Sequence, residues 1–334
     1  MNIKSILTPA FILSIHRSGS TLLQSLLDGH PELLVDVADS SFFNYVPELE
    51  QLRDEDKSNY YKNIIMSHIF NKESKYYQEL LSHISIKHLM GAFDESCNSR
   101  VTSTLKDYFE SYIYALGVGS KRELNKHKYF IDKTLKNEYS RFIIPQWWPN
   151  VKIIYLFRDP RDVYSSYKTR DKMNNRKITK VDALAFTWEK SVETALYYEN
   201  KLNESQCLII KYEDLVSEKK KVMNKVASFL GISYDKILLE PTKGNGTKKW
   251  MGNPASGIKK NHVDTREKNK YRTILTNKEI NEIEHLLSHQ MQSLNYIMEN
   301  KNTNYYFYPI SRFKNKIRHF KINQYESRII TKVL

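Results

Sequence analysis

The run Ala10-Phe11-Ile12-Leu13-Ser14-Ile15 is short and almost wholly apolar, the pattern of a parallel strand covered on both faces. After it, Leu22, Leu23, Leu26 and Leu27 recur on one helical face, and Gly29, His30 and Pro31 supply a helix stop. Strand, loop and helix in this order predict the opening unit of an α/β fold. Residues 48–128 are polar and aromatic, with helix-like stretches such as Tyr60-Tyr61-Lys62-Asn63-Ile64-Ile65-Met66 and no strong strand pattern, so they predict a helical insertion. Strand patterns return in Tyr129-Phe130-Ile131-Asp132, Lys152-Ile153-Ile154-Tyr155-Leu156-Phe157 and Leu208-Ile209-Ile210-Lys211-Tyr212. Helical segments separate them, as crossovers in a parallel sheet require. The expected class is α/β, a three-layer parallel sheet flanked by helices. One domain is expected over residues 1–300, followed by a basic extension over 301–334.

Two helices have readable ends. Asp159 is a good N-cap and Pro160 suits the first helical position, so a helix should follow the strand ending at Phe157. A second helix, about Val181 to Lys201, places Leu184, Trp188, Val192 and Ala195 on one face, a stripe suited to the core. The stretch Lys243 to Tyr271 is rich in Gly, Asn and Lys with little periodicity, which predicts a long loop, and such loops in compact domains often carry function.

At 334 residues and 40% apolar content the chain can build a substantial core. No run approaches the roughly eighteen apolar residues of a membrane span, and Met1-Asn2-Ile3-Lys4 lacks a secretory leader's apolar stretch, so a soluble, cytoplasmic protein is expected. Cys97 and Cys207 stand far apart; Cys207 opens an apolar run where a buried thiol is the ordinary reading, although the two could pair across the fold. No C-x-x-C or H-E-x-x-H spacing is present, so no metal site is expected. The formal charge of +14 favours anionic partners without choosing among nucleic acid, anionic lipid and a multiply phosphorylated nucleotide.

Local motifs make that choice. A tight turn between a buried strand and a helix N-terminus aims backbone N–H groups and the positive helix end at one point. Ser18-Gly19-Ser20-Thr21 occupies such a place. Gly19 permits close approach, Ser20 and Thr21 add hydroxyls, and Arg17 adds a fixed charge. The triphosphate motif G-x-x-x-x-G-K-[ST] is absent. Arg158 ends a strand and can offer a guanidinium fork to a phosphate, while Ser166 lies two turns into the next helix with a hydroxyl. A surface ion pair of Arg158 with Asp159 or Asp162 is the competing reading.

Arg17-Ser18-Gly19-Ser20-Thr21-Leu22-Leu23 resembles the 5′-phosphosulfate loop of sulfotransferases that use 3′-phosphoadenosine 5′-phosphosulfate. Arg158-Asp159-Pro160-Arg161-Asp162-Val163-Tyr164-Ser165-Ser166 resembles their 3′-phosphate motif, and Arg170 matches a further donor position in the tyrosylprotein branch. Asp132-Lys133-Thr134 resembles an element whose lysine binds and neutralises the donor, and Lys211-Tyr212-Glu213-Asp214-Leu215 resembles one that contacts the donor, through Tyr212. Ser256 and Arg266 lie where the family closes a basic segment over the donor. The resemblance implies a P-loop-like fold, the phosphosulfate donor as co-substrate and no metal. Arg17, Ser18, Gly19, Ser20, Thr21, Arg158, Ser166, Arg170, Tyr212, Ser256 and Arg266 are the implied donor residues.

The implied chemistry is transfer of a sulfuryl group to a hydroxyl. Positioning and charge neutralisation should dominate, as in phosphoryl transfer, with Arg17 and Lys133 as the cations. A base is also needed. Asp36-Val37-Ala38-Asp39-Ser40-Ser41-Phe42-Phe43 resembles the glycosaminoglycan sulfotransferase segment in which an acid precedes a Phe-Phe pair. Asp39 matches its offset, with Asp in place of the usual Glu; Asp36 and His16 are alternatives. The acceptor, a saccharide or glycolipid by preference, would be shaped by residues 48–128. Ser311 to Leu334 carries seven Lys or Arg against one Glu, which suits either peripheral contact with an anionic membrane or a terminal helix packed on the domain. Nucleic acid is not expected as a partner. Rival readings are a P-loop-type phosphotransferase and a non-catalytic basic binding module on the same fold.

Overall fold

The computed structural model describes residues 7–36, 40, 42–67, 84–99, 104–133, 140–250 and 269–299. Five parallel strands, β1 (Thr8–Leu13), β2 (Leu33–Val35), β3 (Tyr129–Asp132), β4 (Lys152–Phe157) and β5 (Cys207–Lys211), form a sheet in the order β2-β3-β1-β4-β5. The side-chain alternation of a strand explains why its members are apolar throughout. Phe11, Leu13, Phe130, Ile153, Tyr155 and Phe157 enter one buried cluster, while Ala10, Ile12, Ile131, Ile154 and Leu156 enter a second on the other face.

Helix α1 (Ser20–Leu27) packs on the second face through Leu22, Leu23, Leu26 and Leu27. The first face carries the larger, aromatic cluster. It is covered by α2 (Phe42–Gln51), α3 (Asp54–Ile65), α4 (Ile86–Asn98) and α5 (Leu105–Gly119), which supply Phe42, Phe43, Tyr61, Phe93, Phe109 and Tyr112. The short α6 (Ile143–Trp147) leads into β4. After β4 come α7 (Pro160–Met173) and α8 (Val181–Lys201), and the stripe Leu184, Trp188, Val192, Ala195 is buried in the first cluster. The three-layer parallel architecture is the one expected.

Element ends differ in places. Tyr212, read as the end of a strand, instead opens α9 (Tyr212–Ser217), followed by α10 (Lys219–Leu230). The stretch after Lys243 begins with an antiparallel hairpin, β6 (Thr242–Lys243) and β7 (Lys248–Lys249). Its turn, Gly244-Asn245-Gly246, has three consecutive residues at positive φ, which Gly and Asn adopt cheaply. The short α11 (Tyr271–Ile274) and α12 (Asn277–Ser293) complete the described chain, the latter opened by a Thr276/Glu279 capping box. Cys97 and Cys207 do not form a disulfide with each other. Among the described residues no helix is long and apolar enough to cross a membrane.

Candidate active site

In an open parallel α/β sheet, ligands sit beyond the carboxyl ends of the strands, and four of the motifs read from sequence leave the sheet there. Register decides which of them meet. Phe157 of β4 stands opposite Lys211 of β5, so Arg158 and Tyr212 emerge as neighbours. The Arg158 guanidinium lies 4.5 Å from the centre of the Tyr212 ring, a cation–π stack that fixes a planar side chain.

The loop after β1 is held in an unusual backbone shape. Arg17 has φ 72 and Gly19 φ 95. For a non-glycine such as Arg17 the left-handed region costs about 1–3 kcal/mol and persists only where neighbours over-determine it. Here the Arg158 Nη1 donates to the Arg17 carbonyl at 3.2 Å, and Arg17 Nε donates to Ser166 Oγ at 2.8 Å. Gly19 is required on two grounds: its φ, and a close approach in which an added Cβ would lie 2.3 Å from Tyr212 Cδ2. The Tyr212 ring is therefore a wedge with Gly19 against one part of it and Arg158 stacked on it. Gly19 is the α1 N-cap and has no side chain to cap the helix, leaving first-turn N–H groups and the helix dipole to an anion. Ser18 Oγ is buried with no hydrogen-bond partner among the described residues, a hydroxyl placed for such a ligand.

The acids of the competing ion-pair reading also hold other groups, and Arg158 is 5% exposed rather than a surface residue, although its charge acts on Asp162. Asp159 caps α7 by accepting from Arg161 N at 2.9 Å and pairs with the Arg161 guanidinium at 2.6 Å, which also meets Glu284 at 2.5 Å. Asp162 accepts from the backbone N–H groups of Asn269 and Tyr271, each at 2.9 Å. Glu213 accepts from Asp159 N and from Tyr296 Oη, with its carboxyl pushed up by burial. Trp188 Nε1 donates to the Arg158 carbonyl at 3.1 Å. The acids of both motifs thus fasten α7, α9 and residues 269–296 together around Arg158.

On the other side of β1, Val35 of β2 is level with Ile131 of β3, bringing Asp36 beside Asp132. Both carboxylates are buried: Asp36 Oδ1 accepts from Tyr112 Oη at 3.0 Å, and Asp132 Oδ2 from Ser40 Oγ at 2.9 Å. Burial, then the nearby Asp36 and other charges, push the Tyr61 and Tyr112 hydroxyls well above their usual range. Lys133 follows Asp132 and is 5% exposed.

The structure therefore brings Arg17, Ser18, Gly19, Arg158, Ser166 and Tyr212 into one cradle, with Ser20 and Thr21 in the first turn of α1. Arg170 does not join it: its guanidinium turns to Asp171 at 2.6 Å and to the Tyr167 ring. His16 is exposed at the turn after Ile15. Asp36 is sealed beneath Tyr112 and is 0% exposed. Asp39, Ser256, Arg266 and the segment 311–334 lie outside the described residues. Sequence reasoning missed Asp28 and Tyr112, and read Trp188 as core without its hydrogen bond to the Arg158 carbonyl; of the two missed, only Asp28, an acid at the predicted helix end, carried a local signal.

This cradle can be compared with known proteins. The chain is 24% identical over 234 residues to protein-tyrosine sulfotransferase A of Caenorhabditis elegans, covering 69% of this chain and 51% of that protein. It is 28% identical over 142 residues to carbohydrate sulfotransferase 1 of Rattus norvegicus, covering 37% of this chain and 34% of that one. The chain thus spans about half the length, or less, of these curated relatives. Among solved structures, the sulfotransferase domain from the curacin biosynthetic pathway superposes with a TM-score of 0.53 at 22% identity, over 87% of this chain and 99% of that one, a likeness of fold. The sulfotransferase family profile matches residues 9–236, a stretch that contains Arg17, Lys133, Arg158, Ser166 and Tyr212 and most of the chain: the protein belongs to the sulfotransferase family.

Proposed function

We propose that the protein transfers the sulfuryl group of 3′-phosphoadenosine 5′-phosphosulfate to a hydroxyl of an acceptor, a saccharide or glycolipid by preference. The observation that carries this reading is the single cradle in which Arg17 donates to Ser166 and Tyr212 touches both Gly19 and Arg158. Three segments far apart in sequence contribute cations and hydroxyls to one place, as a donor with two separate anionic groups requires. The buried Ser18 hydroxyl fits the same ligand. The donor supplies an activated sulfuryl group on a phosphate leaving group.

The chain's residues then divide the work. The first-turn N–H groups of α1 and Ser18 hold the phosphosulfate end, and Arg158 with Ser166 holds the second phosphate. Arg17 and Lys133 neutralise charge on the departing phosphate as the acceptor oxygen bonds to sulfur. The acceptor proton passes to a base, Asp39 in this reading. We assign the protein to the cytoplasm and residues 48–128 to acceptor recognition.

The acceptors named in the relatives, protein tyrosine and carbohydrate, set the test. Sulfur-radiolabelled donor is offered with tyrosyl peptides, oligosaccharides and glycolipids. Label should enter at least one class, and Arg17→Ala should abolish turnover while weakening donor binding less. A wild-type protein that labels no acceptor yet binds the donor product would favour the non-catalytic reading instead.

A further inference from the structure

Helix α1 starts at the donor loop and ends, eight residues later, at Asp28, about 12 Å away along the axis. Asp28 is 3% exposed. Its carboxylate accepts three hydrogen bonds from one distant segment: Thr242 Oγ1 at 2.9 Å, Asn245 N at 2.9 Å and Gly246 N at 2.8 Å. The same threonine hydroxyl also lies 2.7 Å from the Asp28 carbonyl. Gly29 and Gly246 interlock beside it: an added Cβ on Gly29 would lie 2.6 Å from Gly246 Cα, and one on Gly246 would lie 2.9 Å from Gly29 Cα. A buried carboxylate with several donors costs less than its desolvation suggests, and removing it strands those donors. Burial raises the Asp28 carboxyl above its usual value, opposed by these same hydrogen bonds.

The turn that Asp28 grips belongs to the β6–β7 hairpin, and the hairpin forms one wall of a cavity of about 30 Å³. Thr242, Lys243 and Trp250 line it from the hairpin segment, and Thr21, Gln24 and Asp28 line it from α1 and its C-cap. Thr21 is the last residue of the donor loop. Trp250 is 7% exposed, and its Nε1 has no hydrogen-bond partner among the described residues. Neither the Asp28 carboxylate nor the hairpin turn is part of the phosphate cradle.

We propose that Asp28 is a positioning residue for donor binding: by holding the β6–β7 turn against the far end of α1, it sets the spacing between the donor-loop helix and the wall that carries Trp250. The proposal rests on the donor reading above. Asp28→Ala frees the turn while leaving every cradle residue in place; Asp28→Asn keeps the shape but removes the charge; Thr242→Val cuts the clamp from the hairpin side.

The test titrates wild type and variants with adenosine 3′,5′-bisphosphate by calorimetry, well below each variant's Tm, and records tryptophan emission without ligand. Asp28→Ala should bind about tenfold more weakly, the equivalent of one charge-assisted hydrogen bond, with Asp28→Asn and Thr242→Val moving the same way by less. Its emission should shift to the red, and the shift should vanish in a Trp250→Phe background. Should Asp28→Ala fail to fold, Thr242→Val carries the same test. Folded variants with wild-type affinity and unshifted emission would overturn the proposal alone. A wild-type protein that does not bind the bisphosphate overturns the donor reading, and the proposal with it.

Discussion

Replacing Gly19 by alanine tests whether Tyr212 is the spacer between the two phosphate motifs. Two costs arise. A φ of 95 is unfavourable for any residue with a Cβ, worth about 1–2 kcal/mol. The new methyl would also lie 2.3 Å from Tyr212 Cδ2, so the ring must retreat by about 1 Å to reach ordinary contact distance. That ring carries Arg158 at 4.5 Å, so retreat displaces the cation meant for the second phosphate. Overpacking of this kind costs a further 1–3 kcal/mol or so, giving a total of about 2–5 kcal/mol. Shortening Tyr212 to alanine makes room for the methyl but leaves the φ strain. A double-mutant cycle on Gly19→Ala and Tyr212→Ala, read by thermal unfolding and by calorimetric affinity for adenosine 3′,5′-bisphosphate, should therefore be non-additive by about 1–3 kcal/mol, the double mutant being better than the sum. Strict additivity would show that Tyr212 and Gly19 act independently and refute the wedge.

Two further outcomes follow from buried and surface charge. Arg161→Met leaves Asp159 and Glu284, both nearly or wholly buried, without their cation; a loss of about 3–5 kcal/mol should lower Tm on the order of 10 °C in differential scanning, and Arg161→Met/Glu284→Leu should recover part of it. Lys128 at 2.6 Å and the Ser233 hydroxyl and N–H hold the Glu32 carboxyl down to about 2, against 4.5 ordinarily. With the folded value depressed, this stabilisation is present above about pH 4.5 and is lost as pH falls through about 2. Glu32→Gln should flatten the Tm profile in that window, by a small amount because the pair is partly solvated; an unchanged slope would contradict the assignment.

Much of the fold was legible because the strands are apolar on both faces. β3 and β4 match the runs Tyr129–Asp132 and Lys152–Phe157, and the Asp159-Pro160 start of α7 follows from capping chemistry alone. β2 was missed: Leu33–Val35 is three residues long and sits just after a helix stop. Tyr212 reads as a strand end because it is aromatic and follows the β-branched Ile209 and Ile210, whereas its ring is needed against Gly19. The hairpin turn at 244–246 carried clear turn residues, but β6 and β7 are two residues each, too short for alternation to register.

The site was legible in a different way. Spacing and residue type found anion-binding groups, and the family resemblance said that they serve one ligand. No local pattern could say that Arg17 reaches Ser166, 149 residues away, or that Asp28 grips a turn more than 200 residues on. Those contacts depend on sheet order, which places β1 between β3 and β4. Arg170 shows the converse, a residue matched by position whose partner one step along the helix, Asp171, takes its charge.

The central claim is that the cradle of Arg17, Ser18, Arg158 and Ser166 binds a nucleotide with separate 5′ and 3′ anionic groups. A calorimetric titration of wild type with adenosine 3′,5′-bisphosphate, repeated with ATP as competitor and with Arg158→Ala, tests it most directly. The account predicts saturable binding at one site, little competition from ATP, and a loss of at least tenfold in the variant, the scale of one charge-assisted phosphate contact. No heat and no thermal shift with the wild-type protein, or equal affinity in the variant, would contradict it.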